Sequence, residues 1–392
     1  MNEIKAILKN ERGVVLVIAL MVLSLLVGAG VGAIVSTQTD LKTSANIKAG
    51  TQAFYLATAG IERGKQKIKD SAANPPNPSG ETQSLSWGSF TVSFSEDLKI
   101  SNLEGRIKIS STGTLTGTLG TASNSVEALV TKTYELSDAA VSIRGTEANS
   151  NFTGNSFQVD GRDYDPTTGT LVAGAKEHFG ISVSSSTLEG QVEGALSNPQ
   201  EDNVLGKDGS TPNVEQSGLP TTDEVEQLAN DLCSAAEAIV ENVATGDTHS
   251  ITGTNTYGTT AAPEIRCFTG QGSGEAVDIG GDFTGVGVLV VRDADLNASG
   301  AFHWEGLVLV SGNNVGFSVS GGGNKDIYGS LMINEGGTDS GDELDLRGAV
   351  NVRYSSSALK TAAEVFPLSA LEAIFDSLSS TITQNYWATV TN

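Results

Sequence analysis

The longest apolar run of the chain lies near its start, from Val14 to Ser36. It contains no charged residue and is about as long as a helix that spans a bilayer. Beyond it the apolar residues keep a spacing of three and four, and the next proline is Pro75. The pattern predicts one helix over 14–70, with a transmembrane half over 14–36 and an amphipathic half over 37–70 that packs on a folded domain.

Alternating apolar and polar residues follow a short linker that contains several prolines. The alternation is clearest over 87–94, 106–110 and 126–131, and glycines separate these segments. Such segments predict short antiparallel strands. A sheet with one apolar face needs a cover, so we expect a small antiparallel sheet over 71–136 that packs on the amphipathic half of the helix.

The last third of the chain repeats a glycine followed by an apolar strand. Gly287, Gly306 and Gly329 begin the three copies, and a second strand pattern lies between successive copies. Periods near 20 residues with two strands each are typical of a parallel β-solenoid, in which every coil stacks on the last. We therefore predict a solenoid over 137–365, with fragments at 157–159 and 181–183 as earlier coils.

Two segments of this region have helical patterns. Residues 221–243 begin with a Thr-Thr-Asp-Glu capping pattern and predict a helical insertion. Residues 366–392 predict a C-terminal cap or tail, with a short helix near 370–375. The predicted fold class is α+β, mostly β: a long N-terminal helix, a small antiparallel sheet and a parallel β-solenoid.

The charge is strongly acidic and unevenly distributed. The net charge is −23, and residues 71–392 carry 14 Lys and Arg against 41 Asp and Glu. Nucleic-acid binding needs a positive surface, so this composition argues against it. It favours instead a domain that stays soluble outside the cell.

The two cysteines, Cys233 and Cys267, have no spacing typical of a metal site. In an oxidising compartment they can form a disulfide, and two independent free thiols are the alternative. Their distance in space cannot be read from the sequence.

Three carboxylates, Asp160, Asp163 and Asp165, lie within six residues and could ligate calcium. Because Arg162 lies among them, the favoured interpretation is a structural Asp–Arg turn with no metal.

Other candidate chemistry is weaker. Aspartates recur in successive strand segments and could form a carboxylate row, as in solenoid enzymes that act on polysaccharides; solvent-facing acids are the favoured interpretation. These residues are Asp278, Asp295 and Asp345. The three histidines are isolated, and no nucleophile motif is present. We expect no enzymatic activity and no cofactor.

The segments 11–20 and 52–62, ERGVVLVIAL and QAFYLATAGIE, resemble the type IV pilin family, and within it the PilX-like minor pilins. The resemblance implies that residues 1–13 are a prepilin-type leader. A prepilin peptidase would cleave between Gly13 and Val14 and methylate the new amine of Val14. It also implies a single-pass protein of the bacterial inner membrane before assembly and an extracellular pilus subunit afterwards.

The chain departs from the family at Ile18. Major pilins usually carry glutamate as the fifth residue of the mature chain, where it can pair with the amine of a neighbouring subunit. The tip pseudopilin of type II secretion systems also lacks this glutamate. Ile18 therefore favours a place at the tip of a filament.

The repeat region resembles the β-rich C-terminal domain found behind PilX-type N-termini. The matching stretches are 159–165, 285–291, 303–310 and 353–359. We expect a non-enzymatic minor pilin that helps to initiate pilus assembly and contributes to surface adhesion. Its expected partners are the major pilin, other minor pilins, the prepilin peptidase and a host-surface or glycan ligand.

Three alternatives stay open. The chain could be the tip pseudopilin of a type II secretion system. It could be a membrane-anchored β-solenoid protein that binds or cleaves polysaccharide. A plain signal anchor that holds a surface protein is the third.

Overall fold

The computed structural model describes residues 2–117, 120–217, 220–272, 274–337, 341–375 and 378–390. Its first element is a continuous helix, α1 (Asn2–Lys69), which is about 100 Å long at 1.5 Å per residue. The helix covers 14–69 as the apolar pattern predicted and begins earlier, inside the segment assigned to a leader. Met1 of that leader lies outside the described residues.

An antiparallel sheet follows α1 and packs on its C-terminal part. Its strands in this part of the chain are β1 (Glu81–Leu85), β2 (Gly88–Ser101), β3 (Glu104–Gly117) and β4 (Gly120–Glu135). The inner face is apolar and buries Val92, Ile109 and Val130 against α1, where Leu56 and Ile61 contact it. The segments 106–110 and 126–131 lie within β3 and β4, and all but the first residue of 87–94 lies within β2; each strand extends well beyond its segment.

The next region contains short strands and one helix. They are β5 (Ala139–Gly145), β6 (Ser150–Thr153), β7 (Gln158–Asp160), β8 (Tyr164–Asp165), β9 (Thr170–Leu171), β10 (Phe179–Val183), α2 (Ser186–Ala195), β11 (Val204–Leu205) and β12 (Val214–Gln216).

The remainder of the chain begins with α3 (Thr222–Cys233). The strands after it are β13 (Ile239–Asn242), β14 (Thr248–Ile251), β15 (Thr254–Tyr257), β16 (Glu264–Thr269), β17 (Ala276–Ile279), β18 (Asp282–Arg292), β19 (Asp295–Ala298), β20 (Ala301–Gly312), β21 (Phe317–Val319), β22 (Lys325–Glu335), β23 (Leu344–Arg347) and β24 (Val350–Tyr354). The chain continues with α4 (Ser356–Ala363), α5 (Leu368–Ile374) and β25 (Ser379–Val390).

Strands β5–β7 and β10–β24 pair in parallel and form a β-solenoid, while β8 and β9 form a separate antiparallel pair. Strands β13, β16, β18, β20 and β22 stack in one parallel sheet, and β14, β17, β19, β21 and β23 stack in a second. Each of these coils therefore supplies one strand to each sheet, and apolar side chains from both fill the interior. The predicted fold class, α+β and mostly β with a parallel solenoid, is confirmed.

The repeated glycines form a column inside the first of these sheets. Gly287, Gly306 and Gly329 lie opposite one another in register. Their φ values are +128°, +135° and +137°, a region that side chains with a Cβ rarely adopt. A Cβ on Gly306 would lie 2.0 Å from the carbonyl oxygen of Gly287. Each repeated glycine therefore marks the point of a long strand at which adjacent coils approach too closely for any side chain.

The order of the coils differs from the order of the chain. We predicted that 157–159 and 181–183 are earlier coils, which would place them before the repeats. Instead β7 pairs with β24, and β10 pairs with β5, which pairs with β22, so both segments stack beyond the last repeat. The last coils would otherwise present open parallel edges, and pairing with the earlier strands removes them.

Helix α3 makes this arrangement possible because it carries the chain back along the stack. It contacts β22, β20, β18 and β16 in turn. Four strands spaced about 4.8 Å apart cover about 14 Å, and a 12-residue helix is about 18 Å long. The predicted helical insertion over 221–243 is shorter in the structure, since residues 239–242 gain ladder hydrogen bonds to β16 as β13.

The C-terminal segment predicted as a cap or tail is different in the structure. Strand β25 returns to the N-terminal sheet and pairs with β4 along most of its length. Without it, the 16-residue β4 would present a long open edge. Trp387, which falls within the predicted tail, lies on this strand. Of the predicted 366–392 segment, residues 376, 377, 391 and 392 lie outside the described residues.

The sheet and the solenoid share part of one core. Leu103, Tyr134 and Leu136 at the end of the sheet belong to the same buried apolar cluster as the solenoid. The ring of Tyr134 lies 4.4 Å from that of Phe375, between centroids. The two parts therefore pack on each other as well as being joined by the chain.

Candidate functional site

The apolar half of α1 is fully exposed to its surroundings. Every residue from Gly13 to Ser44 is exposed, including all the large aliphatic side chains of the run. The helix from Gly13 onward is long and apolar enough to cross a membrane. Such a surface is costly in water, so this half needs lipid or other apolar helices around it.

The predicted processing site lies at the start of this exposed surface. Gly13 is helical and has no atom within 4 Å of the position that a Cβ would take, and Val14 beside it is also exposed. Ile18 follows on the same helix and is 55% exposed. All three are therefore accessible on the isolated chain, and the position at which the resemblance expects a carboxylate carries an apolar side chain.

The C-terminal part of α1 is held against the sheet by glycines. A Cβ on Gly60 would lie 2.0 Å from Ser111 Oγ, and one on Gly64 would lie 2.7 Å from a methyl of Ile109. From the sheet side, a Cβ on Gly113 would lie 2.1 Å from the carbonyl oxygen of Ala53. The segment 52–62, which carries the pilin resemblance, is therefore part of the stretch of the helix that packs closely on the sheet.

A buried lysine on β4 binds the C-terminal end of α1. The ammonium group of Lys132, on β4, donates to the carbonyl oxygens of Ile68, Lys69 and Ser71 at 3.1, 2.8 and 2.6 Å. The phenol of Tyr134 also donates to the Ser71 carbonyl, at 2.9 Å. The last carbonyls of a helix carry partial negative charge, which a cation stabilises. Lys132 therefore stabilises the C-terminal end of α1 against the sheet, and no local pattern in the sequence indicates this role.

No protein-family model and no curated protein matches the chain. Among solved structures, the chain is similar to the competence-associated pilin ComZ from Thermus thermophilus, with 13% identity over 87% of this chain and 97% of that one. The TM-score is 0.33. A score this low does not establish a common fold.

The two cysteines are joined in the structure. Cys233 ends α3 and Cys267 lies on β16, with 5.7 Å between their Cα atoms. The bond ties the end of the returning helix to a strand at the far side of the stack. Its role is to hold α3 along the solenoid.

The aspartates proposed as a calcium site do not converge. Asp160 is buried and pairs with Arg162 at 2.6 Å, and it accepts a hydrogen bond from Tyr164 at 2.7 Å. Asp163 accepts from the backbone and hydroxyl of Ser356, and Asp165 accepts from two backbone N–H groups of its own turn. The Asp–Arg pair is confirmed, and these carboxylates stabilise three separate local structures.

The aspartates proposed as a carboxylate row also separate. Asp278 lies opposite Asn297, which donates to it at 2.8 Å, whereas Asp295 lies opposite Ala276 in another column. Asp345 lies in the column of Asp278 but three strands away, and it pairs with Arg347 at 2.6 Å. Among the described residues, no group of three His, Cys, Asp or Glu side chains could hold a metal ion.

The histidines have unrelated surroundings. Nε2 of His303 lies 3.2 Å from Glu305, and Nε2 of His249 lies 3.3 Å from Glu241, both near the surface. His178 is buried at the junction of sheet and solenoid, and its ring stacks on that of Tyr354 at 3.8 Å. Burial lowers the pKa of His178 to about 4.

Two cavities of about 420 and 370 Å³ flank His178. An ion pair between Lys176 and Glu135, 2.6 Å long, crosses between the solenoid and the sheet beside them. A second ion pair, Lys360 with Glu104 at 2.5 Å, joins the same two parts. The ion pairs beside these cavities therefore connect the sheet and the solenoid.

Proposed function

We propose that this chain is a non-enzymatic minor pilin of a type IV pilus, similar to the PilX-like minor pilins. One observation carries the proposal: a continuous helix presents a fully exposed apolar half, while its other half packs closely on an antiparallel sheet. A helix of this kind can lie in the inner membrane first and pack among the helices of other pilins afterwards. Its partners would be the major pilin and other minor pilins.

The tip of the filament is the proposed position. Ile18 cannot offer a carboxylate to the amine of another subunit, so the chain is poorly suited to the repeated contacts of a shaft. The solenoid adds a large domain beside the sheet, and a domain of this size is hard to repeat at every level of a thin filament. At the tip it would present an extended surface for initiation contacts and for adhesion to a surface or glycan.

Mass spectrometry of the mature N-terminus tests the assignment to the pilin class. We expect a chain that begins at N-methylated Val14. The variant Gly13→Leu should keep the full leader, because the bulky side chain replaces the small residue before the scissile bond. An intact Met1 in the wild-type protein, or a cut after the apolar run, would refute the proposal.

The position in the filament needs a separate test. Antibody or gold labelling of the solenoid on sheared filaments should mark one end of each filament. Uniform labelling along the length would refute a tip position but not the pilin class. Absence from pili, with recovery in a secretion complex, would instead support the tip pseudopilin of a type II secretion system.

A further inference from the structure

Strand β25 is an unusual sheet edge. Its twelve residues, Ser379–Val390, contain no charged residue, no proline and no glycine, and all of them are exposed or half-buried. It pairs with β4 on one side and is the end of that sheet among the described strands. Its other side therefore presents a row of backbone N–H and C=O groups to the surroundings.

Two other edges among the described strands are protected in the ways that natural proteins use. Strand β1 at the opposite edge has five residues, and its Glu81 pairs with Arg63 and Lys67, each at 2.9 Å. Strand β13 at the end of the solenoid has four residues, and its Glu241 pairs with Arg266 at 2.9 Å. Short length and charge discourage strand addition there, and β25 has neither.

The edge is also held in a fixed position next to α1. The ring of Trp387 lies 5.9 Å from that of Phe54 in a T-shaped arrangement, and Trp387 is still 40% exposed. Tyr386 beside it is 56% exposed. The edge thus lies where the helix leaves the sheet and enters its exposed half, close to the surface that neighbouring subunits must cover.

A second copy of this chain does not fit the edge by symmetric pairing. Two identical edges related by a two-fold axis would pair antiparallel. Contacts from Ala53 to Gly113 and from Gly64 to Ile109 show that α1 runs along the strands. Antiparallel edges would therefore point the two α1 helices in opposite directions, which two chains anchored in one membrane cannot adopt.

We propose that β25 is the edge at which a strand of a different, neighbouring pilin subunit extends this sheet. Because β25 carries no charged residue, the added strand gains no cross-strand ion pair from it, and we expect backbone hydrogen bonds and uncharged side chains to make the contact. This inference rests on the proposed function, because it takes the neighbour to be another subunit of the same filament.

Thiol labelling tests the edge in the full-length protein. Cys233 and Cys267 are joined, so a single introduced cysteine is the one free thiol. We would compare Thr383→Cys on β25 with Ser84→Cys on β1, both at exposed positions. On going from detergent-solubilised protein to assembled filaments, the rate of maleimide labelling should fall at least tenfold at position 383 and change less than twofold at position 84.

Introducing a charged side chain on β25 provides a second test of the edge. Thr383→Lys should lower incorporation into filaments at least tenfold, while Ser84→Lys should not. Both isolated proteins should keep the wild-type thermal midpoint, because each side chain is exposed. A short thiol crosslinker at position 383 should join it to an uncharged strand of another pilin; a crosslink to β25 of a second copy would overturn the proposal.

Different outcomes would contradict the pilin proposal and the edge proposal. If Val14 is methylated and the chain is in filaments, but labelling at position 383 is unchanged, the edge proposal is wrong and the pilin proposal stands. If Val14 is not processed, the pilin proposal is wrong, and the edge proposal falls with it.

Discussion

Leu331 on β22 lies directly opposite Val141 on β5 in a parallel ladder, although one belongs to the last repeat and the other to the first strand after the sheet. Beside them, Ser330 Oγ lies within hydrogen-bond distance, 2.9 Å, of both Ser137 Oγ and the carbonyl oxygen of Ala139. The solenoid is therefore closed by contacts between distant parts of the chain. Its stability depends on interactions that only the complete chain can make.

Adding a single methyl group in the glycine column should strongly destabilise the protein. Gly306→Ala should lower the free energy of unfolding by at least about 2 kcal/mol, because φ is strained and the new methyl overlaps the carbonyl of Gly287. Chemical denaturation of the full chain in detergent measures this. Gly322→Ala is the control, since no atom lies within 4 Å of its Cβ position. Equal stabilities of the two variants would contradict the prediction.

Replacing Lys132, whose ammonium group binds the end of α1, should destabilise the protein near that end of the helix. Lys132→Met keeps the length of the side chain and leaves the carbonyls of Ile68, Lys69 and Ser71 without its ammonium donor. We expect a loss of about 1–3 kcal/mol, the cost of buried polar groups without a hydrogen bond. Hydrogen exchange should also rise over 64–71. Lys99→Met, on an exposed part of β2, should change neither measurement.

The disulfide should make the stability of the protein sensitive to reductant. Replacing both Cys233 and Cys267 by serine should lower the free energy of unfolding by about 3–4 kcal/mol, from the chain entropy of a 34-residue separation. Urea unfolding with and without reductant measures the effect. Reductant should lower the wild type to the level of the double variant and leave the variant unchanged. A reductant effect on the variant would show that the disulfide is not the cause.

The burial of His178 should make the folded protein less stable in mild acid. The unfolded histidine titrates near 6.5, and burial, with Lys176 and Lys207 nearby, lowers its folded pKa to about 4, against the opposite effect of Asp163 and Asp138. The unfolded state therefore binds the proton first, and stability falls as the pH drops from 6.5 to 4. The contribution is on the order of 3 kcal/mol.

The variant His178→Phe provides the control for this effect. It keeps an aromatic ring against Tyr354 and cannot take up a proton, so its stability should fall less between pH 6.5 and 4 than that of the wild type. Thermal unfolding at closely spaced pH values measures both proteins. The same slope in both would contradict the role of His178.

Several elements of the fold could be predicted from local patterns in the sequence. The apolar run and the spacing after it are sufficient for α1, because a helix depends on residues three and four apart. Period-two alternation predicted segments of β2, β3 and β4. The glycine repeats predicted the coils because each coil meets the same steric requirement at the same position.

The tertiary structure decided the features that join distant residues. The pairing of β5 with β22, the return of β25 to β4 and the contact of Lys132 with the end of α1 leave no local pattern. An edge strand pairs with whichever open edge the whole fold presents, and a buried lysine is recognisable only beside the carbonyls that it satisfies. The sequence by itself determined which elements form, and the packing of the complete chain determined which of them meet.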